Sequence, residues 1–349
     1  MTTHEAPPMD DVRTAEQVER IFFEMRRVIV GQSRLLERML VALLSRGHVL
    51  LEAVPGLAKT LAAETLARVV GGSFARIQFT PDLLPSDIVG TRIYRGSSER
   101  FDVELGPVFV NFLLADEINR APAKVQSALL EVMAEQHVTI GGKTHQVPHP
   151  FFVVATQNPI ESEGVYQLPD AQRDRFLLKI IVDYPGLEEE REIVYRMGAE
   201  PPVAQQVMGP EELVRLQGVA SRVFVHHALV DYVVRLVVAT RTPAEHGLGD
   251  VASWVAYGAS PRATLGIVGA ARALALVRGR DYVLPQDVLD VAPDVLRHRL
   301  VLSYDAVADS VPVDHIVGRV MATVPLPQVT ARPQAAPPQA GYTPAGAST

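Results

Sequence analysis

The sequence has no cysteine. This excludes disulfides, zinc sites with cysteine ligands and cysteine nucleophiles, and it is compatible with a reducing compartment. Residues 1–17 do not show the basic and apolar pattern of a leader, and no apolar run approaches the roughly 18 residues of a membrane helix. The net charge of −7 lacks the basic character of a nonspecific nucleic-acid binder. We expect a cytoplasmic protein with no transmembrane segment and no nucleic-acid partner, which would contact a membrane only peripherally, through other proteins.

The chain has 349 residues, which is enough for two packed domains. A hydrophobic content of 48% and a charged content of 21% are ordinary for a folded protein and argue against general disorder. The two ends differ from the rest of the chain. Residues 1–13 show no apolar periodicity, and residues 323–349 are rich in Pro, Ala, Gly and Thr. We predict that both segments are disordered.

Five short apolar runs, rich in Val, Ile and Phe, alternate with helical patterns and have the length of buried strands. They are residues 48–53, 74–79, 110–116, 151–157 and 176–182. Strands that alternate with helices in this way predict a mostly parallel sheet covered on both faces. From about Leu187 the pattern is helical only. The sequence therefore predicts an α/β domain over residues 14–186 and an all-α domain over residues 187–322.

The stretch LLEAVPGLAKT, residues 51–61, follows the first predicted strand and opens a predicted helix. This is the context of a phosphate-binding loop, in which backbone N–H groups and the positive end of the helix dipole face the phosphates. Lys59 would neutralise phosphate oxygens, and the Thr60 hydroxyl would bind Mg²⁺. The predicted nucleotide-binding residues are Ala53, Val54, Pro55, Gly56, Leu57, Ala58, Lys59, Thr60 and Leu61. A strand-to-helix turn that ends in Lys-Thr by chance is the alternative.

Two alanines depart from the usual pattern G-x-x-x-x-G-K-[ST], which has glycine where this chain has Ala53 and Ala58. A left-handed backbone at either alanine would cost roughly 1 to 2 kcal/mol. We predict that both alanines have negative φ and that the loop binds nucleotide normally.

A second motif, NFLLADEINR at residues 111–120, is an apolar strand that ends in Asp116 and Glu117. A strand end beside a phosphate loop is where a magnesium ligand and a base for water are needed. Asp116 would hold Mg²⁺, and Glu117 would polarise the attacking water. Adjacent carboxylates after an apolar run are often only a solvated turn. Together with the phosphate loop, however, they indicate a P-loop ATPase.

Four longer stretches that include these motifs resemble the MoxR family of AAA+ ATPases, in its helix-2-insert clade. They are residues 30–60, 106–142, 151–180 and 258–267. The resemblance extends over roughly residues 14–322. It implies a P-loop AAA+ core with a five-stranded parallel sheet, an all-α lid domain, and hydrolysis of ATP with Mg²⁺.

The resemblance also implies two sensor residues. Asn158 matches the first sensor, whose amide hydrogen-bonds the γ-phosphate or the attacking water. An Asn before Pro159 can also simply form a turn. Arg262 matches the second sensor, at the start of a lid helix, where a guanidinium swings onto the γ-phosphate as the lid closes.

The arginine finger of the family corresponds to Arg175, which would reach the nucleotide of a neighbouring subunit. Arg173 departs from the family pattern, because an apolar or small residue is more usual at that position. Either arginine is therefore a candidate finger. A surface salt bridge with Asp170 or Asp174 is the alternative for both.

Three further features match the family. Val30 and Gly31 correspond to the box that contacts adenine. Residues 87–109 correspond to the insertion into the second helix. Residues 137–150, with a Gly-Gly turn, predict a hairpin.

The leading hypothesis is a ring-forming ATPase, with six subunits expected, that remodels or assembles protein complexes as a chaperone. The resemblance implies a protein client and a partner that carries a von Willebrand factor type A domain. A nucleotide-dependent regulatory module with little hydrolysis is one alternative, motivated by the two alanines. A nucleic-acid motor is another, motivated by the insertion and the hairpin but opposed by the acidic net charge.

Overall fold

The structure, a computed structural model, describes residues 11–96, 99–159, 164–198 and 202–327. Most of the two predicted disordered tails, residues 1–10 and 328–349, lies outside these described residues. Inside them, the first helix begins at Asp11 and the last ends at Thr323. The chain therefore has helical structure slightly beyond the predicted limits at both ends.

Strands are numbered in chain order. They are β1 (Val49–Glu52), β2 (Phe74–Gln78), β3 (Gly90–Arg95), β4 (Arg100–Leu105), β5 (Phe112–Asp116), β6 (His137–Ile140), β7 (Lys143–Gln146), β8 (Phe152–Gln157), β9 (Leu178–Ile181), β10 (Val255–Tyr257) and β11 (Val301–Leu302).

Helices are numbered in the same way. They are α1 (Asp11–Val28), α2 (Ser33–Leu44), α3 (Lys59–Val69), α4 (Pro85–Val89), α5 (Ala123–Glu135), α6 (Asp170–Arg173), α7 (Leu187–Met197), α8 (Pro210–Arg222), α9 (His227–Ala239), α10 (Gly249–Trp254), α11 (Pro261–Val277), α12 (Pro285–Leu296), α13 (Tyr304–Ala308) and α14 (Val313–Thr323). No helix in the described ranges has the length and apolar content needed to cross a membrane.

The five predicted apolar runs form one parallel sheet with the order β2-β5-β8-β1-β9. Its strands are mostly apolar because both faces of the sheet are covered, except that β2 exposes Arg76 and Gln78 and β9 contains Lys179. In β1, Val49 and Leu51 pack into the hydrophobic cluster on one face, whereas Leu50 packs into the cluster on the other. In β8, Val154 and Val153 divide in the same way. The period of two and the predicted fold class are both confirmed.

Parallel pairing places the carboxyl ends of all five strands at one edge of the sheet, here called the carboxyl edge. The phosphate loop follows β1, Glu117 follows β5, and Asn158 follows β8. Because β8 pairs with both β5 and β1, Asn158 lies between the two motifs. The opposite edge, where the strands begin, is called the amino edge.

Two antiparallel hairpins project from this core. One consists of β3 and β4 and lies within the predicted insertion. The other consists of β6 and β7, joined by Gly141 and Gly142 with φ values of 57° and 82°. Two successive positive φ angles are what a two-residue type I′ turn requires, and glycine adopts them without strain. The predicted hairpin over residues 137–150 is confirmed.

In the described residues after Leu187, the regular elements are helices except for β10 and β11, which form a short antiparallel pair, and an isolated bridge joins Phe224 and Tyr282. The prediction of an all-α region missed this pair. Strands of three and two residues are too short to show alternation in a sequence. The division of the chain at residue 186 stays a prediction.

Helix α11 extends from the amino edge to the carboxyl edge. Near its start, a Cβ on Gly266 would lie 3.2 Å from Leu177, the residue before β9. At its end, Val277 borders one cavity with Ser33, the first residue of α2. The residue before α2 hydrogen-bonds the carbonyl oxygen of Asp183, beyond the carboxyl end of β9. At 1.5 Å per residue, the two ends of this 17-residue helix are about 25 Å apart.

A buried carboxylate joins the helical region to the core. Asp294 in α12 has no exposed side-chain surface and accepts hydrogen bonds from Arg34 and Arg38 of α2, each at 2.8 Å, and from Arg297 at 2.6 Å. Arg297 also donates to the carbonyl oxygen of Lys179 in β9 at 2.7 Å. Because Arg38 and Arg297 are themselves buried, they depend on this carboxylate for charge balance.

We predict that Asp294→Ala lowers the free energy of unfolding by about 3 to 5 kcal/mol, because it leaves buried guanidinium groups without a counter-charge. The matched control is Asp250→Ala, which removes an exposed pair with Arg319 at 3.0 Å and should cost less than about 1 kcal/mol. Urea unfolding of both variants measures the difference. Equal losses would show that the Asp294 cluster does not hold the helical region to the core.

A candidate nucleotide-binding site at the carboxyl edge

A cavity of about 470 Å³ opens at the carboxyl edge of the sheet. Its wall combines the phosphate loop, the end of β2 and the two carboxylates after the apolar strand. The lining residues are Pro55, Gly56, Leu57, Ala58, Lys59, Thr60, Leu61, Arg76, Gln78, Asp116 and Glu117. The structure thus brings together two motifs that are more than fifty residues apart in the chain.

The phosphate loop enters α3 through a left-handed residue. Ala58 has φ 53° and immediately precedes Lys59, and Gly56 has φ 87°. Ala53 is not among the residues with positive φ. The prediction of negative φ is therefore wrong for Ala58 and holds for Ala53. At Ala58 the requirement to curl the loop and start α3 outweighs the side-chain preference, at roughly 1 to 2 kcal/mol.

The first residue of the motif closes the base of the loop. Ala53 is buried, its N–H donates to the carbonyl oxygen of Gln157 at 3.2 Å, and its carbonyl oxygen accepts from the Lys59 ammonium at 3.0 Å. The ammonium is thus folded back over the loop that it would serve. An alanine is tolerated at this position because the backbone there continues the extended conformation of β1.

Asp116 is held by two neighbouring strands. One carboxylate oxygen accepts from the Thr156 hydroxyl at 2.6 Å, and the other accepts from Arg76 at 2.6 and 3.2 Å. The same Thr156 hydroxyl accepts from the N–H of Glu117 at 2.8 Å. Thr156 therefore fixes both acidic residues relative to β8.

Glu117 also has a left-handed backbone, with φ 55°. Strain of this kind, roughly 1 to 3 kcal/mol for a residue other than glycine, is concentrated at functional positions. The Glu117 carboxylate accepts from the Gln78 amide at 2.7 Å and pairs with Arg120 at 3.2 Å. The turn aims the carboxylate into the cavity and away from the strand that carries it.

The polar oxygens of the cavity fit Mg²⁺. The Thr60 hydroxyl and the Asp116 carboxylate both line it, and Mg²⁺ is usually held by one or two such oxygens together with substrate phosphates. Within the described ranges there is no cluster of three or more His, Asp or Glu that would hold a metal by itself. The arrangement therefore suits a metal that arrives with a nucleotide.

Several predicted residues lie near the cavity without lining it. Asn158 is buried at the end of β8, in keeping with a position between the two motifs. Val30 is buried, and Gly31 has φ 66° and lies so close to Glu189 that a side chain there would clash. Val54 is half-buried behind the loop. These positions are compatible with their expected roles, which stay proposals.

The two remaining arginines lie far from this cavity. Arg175 is exposed just before β9, where the N–H of Leu177 bonds the carbonyl oxygen of His48 at 2.8 Å, at the amino edge. Arg262, at the start of α11, pairs with Asp174 at 3.5 Å. The length of α11 separates it from the carboxyl edge. The structure therefore places Arg262 away from the cavity of its own chain, and its role as second sensor stays a proposal.

The two candidate fingers differ in their surroundings. Arg173 is half-buried, pairs with Asp170, and has a guanidinium pKa that burial lowers. Arg175 is exposed and forms no ion pair with any of the described residues. An arginine that acts on another subunit must project from the surface, which favours Arg175.

Arg76, Gln78 and Thr156 were missed by the sequence reasoning. Arg76 and Gln78 are two residues apart and both lie on the exposed face of β2. The pairing of β2 with β5 places Gln78 beside Asp116. The sequence did contain one signal for Arg76 and Gln78, because they are two polar residues with a spacing of two in the otherwise apolar run 74–79. Their partners are distant in the chain, so only the strand order shows what they contact.

We predict opposite effects for the two alanine positions. Ala58→Gly should raise the free energy of unfolding by about 1 kcal/mol, because relief of left-handed strain exceeds the added freedom of the unfolded chain. The matched control, Ala53→Gly, should lower it by roughly 0.5 to 1 kcal/mol, since no strain is relieved. Urea unfolding measures both, and a gain at Ala53 equal to that at Ala58 would contradict the assignment.

Two family models match the chain. One, the ATPase family associated with various cellular activities (AAA), matches residues 48–178, and the AAA lid domain matches residues 250–320. A solved structure of a candidate ATPase from Cytophaga hutchinsonii has 44% sequence identity and a TM-score of 0.86, over 91% of this chain and 97% of that one.

Three relatives agree with these matches. "Chaperone MoxR1" of Mycobacterium tuberculosis is 68% identical over 95% of this chain and 89% of its own length. "Protein MoxR" of Paracoccus denitrificans is 36% identical over 86% and 93%, and "Uncharacterized protein YeaC" of Bacillus subtilis is 42% identical over 87% and 92%. With this similarity, a five-stranded parallel sheet and a phosphate loop facing two carboxylates, the chain belongs to the MoxR family of AAA+ ATPases.

Proposed function

We propose that this chain hydrolyses ATP in the cavity at the carboxyl edge, as one subunit of a ring, and uses the reaction to remodel or assemble protein complexes. The observation that carries the proposal is the position of Glu117, whose carboxylate is turned by a strained backbone into the cavity formed by the phosphate loop. A site that only bound nucleotide would not need a positioned base.

The residues of the cavity have separable tasks. The start of α3 and the Lys59 ammonium bind the phosphates. Thr60 and Asp116 would hold Mg²⁺, which would neutralise charge on the phosphate oxygens. Glu117 orients and polarises the attacking water. Asn158, at the end of the neighbouring strand, hydrogen-bonds the γ-phosphate. Arg76 and Gln78 hold the two carboxylates in place.

The position of the two distant arginines supports a ring. The phosphate loop and Arg175 lie at opposite edges of the sheet, so neither Arg175 nor Arg262 reaches the cavity of its own subunit. We propose that both act on the nucleotide of a neighbouring subunit. A site completed head to tail in this way closes into a ring, for which six subunits are the expected number.

The insertion hairpin supports a protein client. Tyr94 of β3 and Phe101 of β4 are exposed, and their rings contact each other at a tilt of 59° with centroids 5.3 Å apart. The Arg92 guanidinium lies over the Phe101 ring at 4.7 Å. Acidic residues, including Asp102, offset the arginines of the hairpin. A surface of mixed charge with exposed aromatic rings suits a protein better than the phosphate backbone of a nucleic acid.

Two further parts of the proposal depend on the family. A protein named as a chaperone is 68% identical to this chain, which supports action on a protein client. A partner with a von Willebrand factor type A domain is proposed on the resemblance to the family. A regulatory module with little hydrolysis is the competing function, and the experiment on Glu117 separates the two.

We predict that Glu117→Gln reduces the rate of ATP hydrolysis about 10²- to 10⁴-fold, because the amide cannot polarise water, while ATP affinity stays within about threefold. Phosphate release and calorimetric titration measure the two quantities. The matched control is Glu211→Gln, which changes an exposed residue of α8 and should leave both unchanged. Wild-type turnover in the Glu117 variant would refute the base, and ATP binding by the wild-type protein without turnover would favour the regulatory module.

We predict that Arg175→Ala lowers hydrolysis about 10³-fold or more, as loss of an arginine finger does. Mixed with Glu117→Gln, it should recover about one quarter of the wild-type rate, because random pairing in a ring restores that share of interfaces. Arg173→Ala is the control and should lose far less activity. No recovery on mixing, or a larger loss in the Arg173 variant, would contradict this assignment.

A further inference from the structure

Asp174 lies between the two arginines that the proposed function directs to a neighbouring subunit. It precedes Arg175 in the chain. One of its carboxylate oxygens accepts from Arg299 at 2.7 Å, and the other accepts from the Ser260 hydroxyl at 3.1 Å and from Arg262 at 3.5 Å. A single side chain therefore joins three parts of the chain: residues 170–177, here called the finger segment, the turn after α12, and the start of α11.

Arg299 fixes the position of the Asp174 carboxylate. Its side chain is almost fully buried, and its guanidinium also donates to the carbonyl oxygens of Phe176 at 2.6 Å and Leu177 at 3.0 Å. Burial lowers the pKa of Arg299, and the Asp174 carboxylate opposes that shift. Because one oxygen of Asp174 is locked in this way, the other is oriented toward Ser260 and Arg262.

The contact with Arg262 contributes little to stability. The Arg262 side chain is 64% exposed and the separation is 3.5 Å, and pairs of this kind contribute between about zero and 1 kcal/mol. The contact instead fixes the position of Arg262 relative to Asp174. Ser260 also begins α11 by accepting from the N–H of Arg262 at 3.2 Å, so the first turn of the helix is set against Asp174 from two directions.

We propose that Asp174 is a positioning residue that holds Arg175 and Arg262 in a fixed relation, so that both guanidinium groups reach the γ-phosphate of the neighbouring subunit together. The inference rests on the proposed function. It adds that Arg175 and Arg262 act as one unit, because Arg299 holds the finger segment in place through Asp174. Neither arginine would be placed correctly if that carboxylate were lost.

The test is Asp174→Asn, which keeps the shape of the side chain and one acceptor for Arg299. Its amide group then faces Arg262 and repels it. We expect the hydrolysis rate to fall about 10- to 100-fold, the cost of a small misplacement near the reacting atoms. ATP affinity should stay within about twofold, because the site in the same subunit is intact. Asp170→Asn, in the same segment but paired with Arg173, is the control and should change neither quantity.

Mixing distinguishes positioning from a general defect. Asp174→Asn mixed with Glu117→Gln should regain activity, because the second variant supplies intact arginines to the first. If Asp174→Asn does not fold, Ser260→Ala is tested in its place. This substitution removes one hydrogen-bond donor to Asp174 and keeps the charges of Asp174 and Arg262. Its hydrolysis rate should fall about two- to fivefold. On mixing with Glu117→Gln, the rate per Ser260→Ala subunit should rise, because about half of these subunits then receive intact arginines from a neighbour.

Wild-type hydrolysis by Asp174→Asn, or by Ser260→Ala where that variant carries the test, would overturn the inference. Failure of the mixture to recover, while Arg175→Ala mixed with Glu117→Gln does recover, would overturn it equally and leave the proposed function intact. Failure of both mixtures would instead count against action between subunits. The same set of proteins therefore distinguishes failure of the Asp174 inference from failure of the proposed action between subunits.

Discussion

The parallel pairing of β9 with β1 is the constraint on which the rest of the structure depends. It places the end of β1, and with it the phosphate loop, at one edge of the sheet. It places the start of β9, and with it Arg175, at the other. No side chain spans that separation, so Arg175 cannot reach the phosphate loop of its own chain. In the proposed function, assembly is therefore part of the catalytic site.

The helical region strengthens that constraint. The buried carboxylate of Asp294 holds α12 against α2, and Arg297 holds it against β9. In this arrangement α11 begins at the amino edge, beside the finger segment, and ends at the carboxyl edge. In the proposed function, the packing of the helices therefore decides which nucleotide Arg262 contacts. Hydrolysis in one subunit would be sensed by the helical region of its neighbour, a direct route by which a ring could act on a client.

Much of the fold could be predicted from the sequence because its signals are local. The five strands are continuous apolar runs between helices, and the phosphate loop and the Asp-Glu pair carry recognisable residues at strand ends. The left-handed backbone of Ala58 could not be predicted in this way, since loop closure imposes it against the preference of the residue. The partners of Asp116 and Glu117, Arg76 and Gln78, depend on strand order. The position of Arg262 depends on how whole helices pack, and no local pattern records that.

The most direct test of the central claim is the structure of the assembled protein with Mg²⁺ and a non-hydrolysable ATP analogue. The account predicts that Arg175 and Arg262 of one subunit both lie within about 3.5 Å of the γ-phosphate bound by its neighbour. Within each subunit, the same arginines should remain at the amino edge. A γ-phosphate contacted by Arg262 of its own subunit, or a complete site formed by a single chain, would contradict the account.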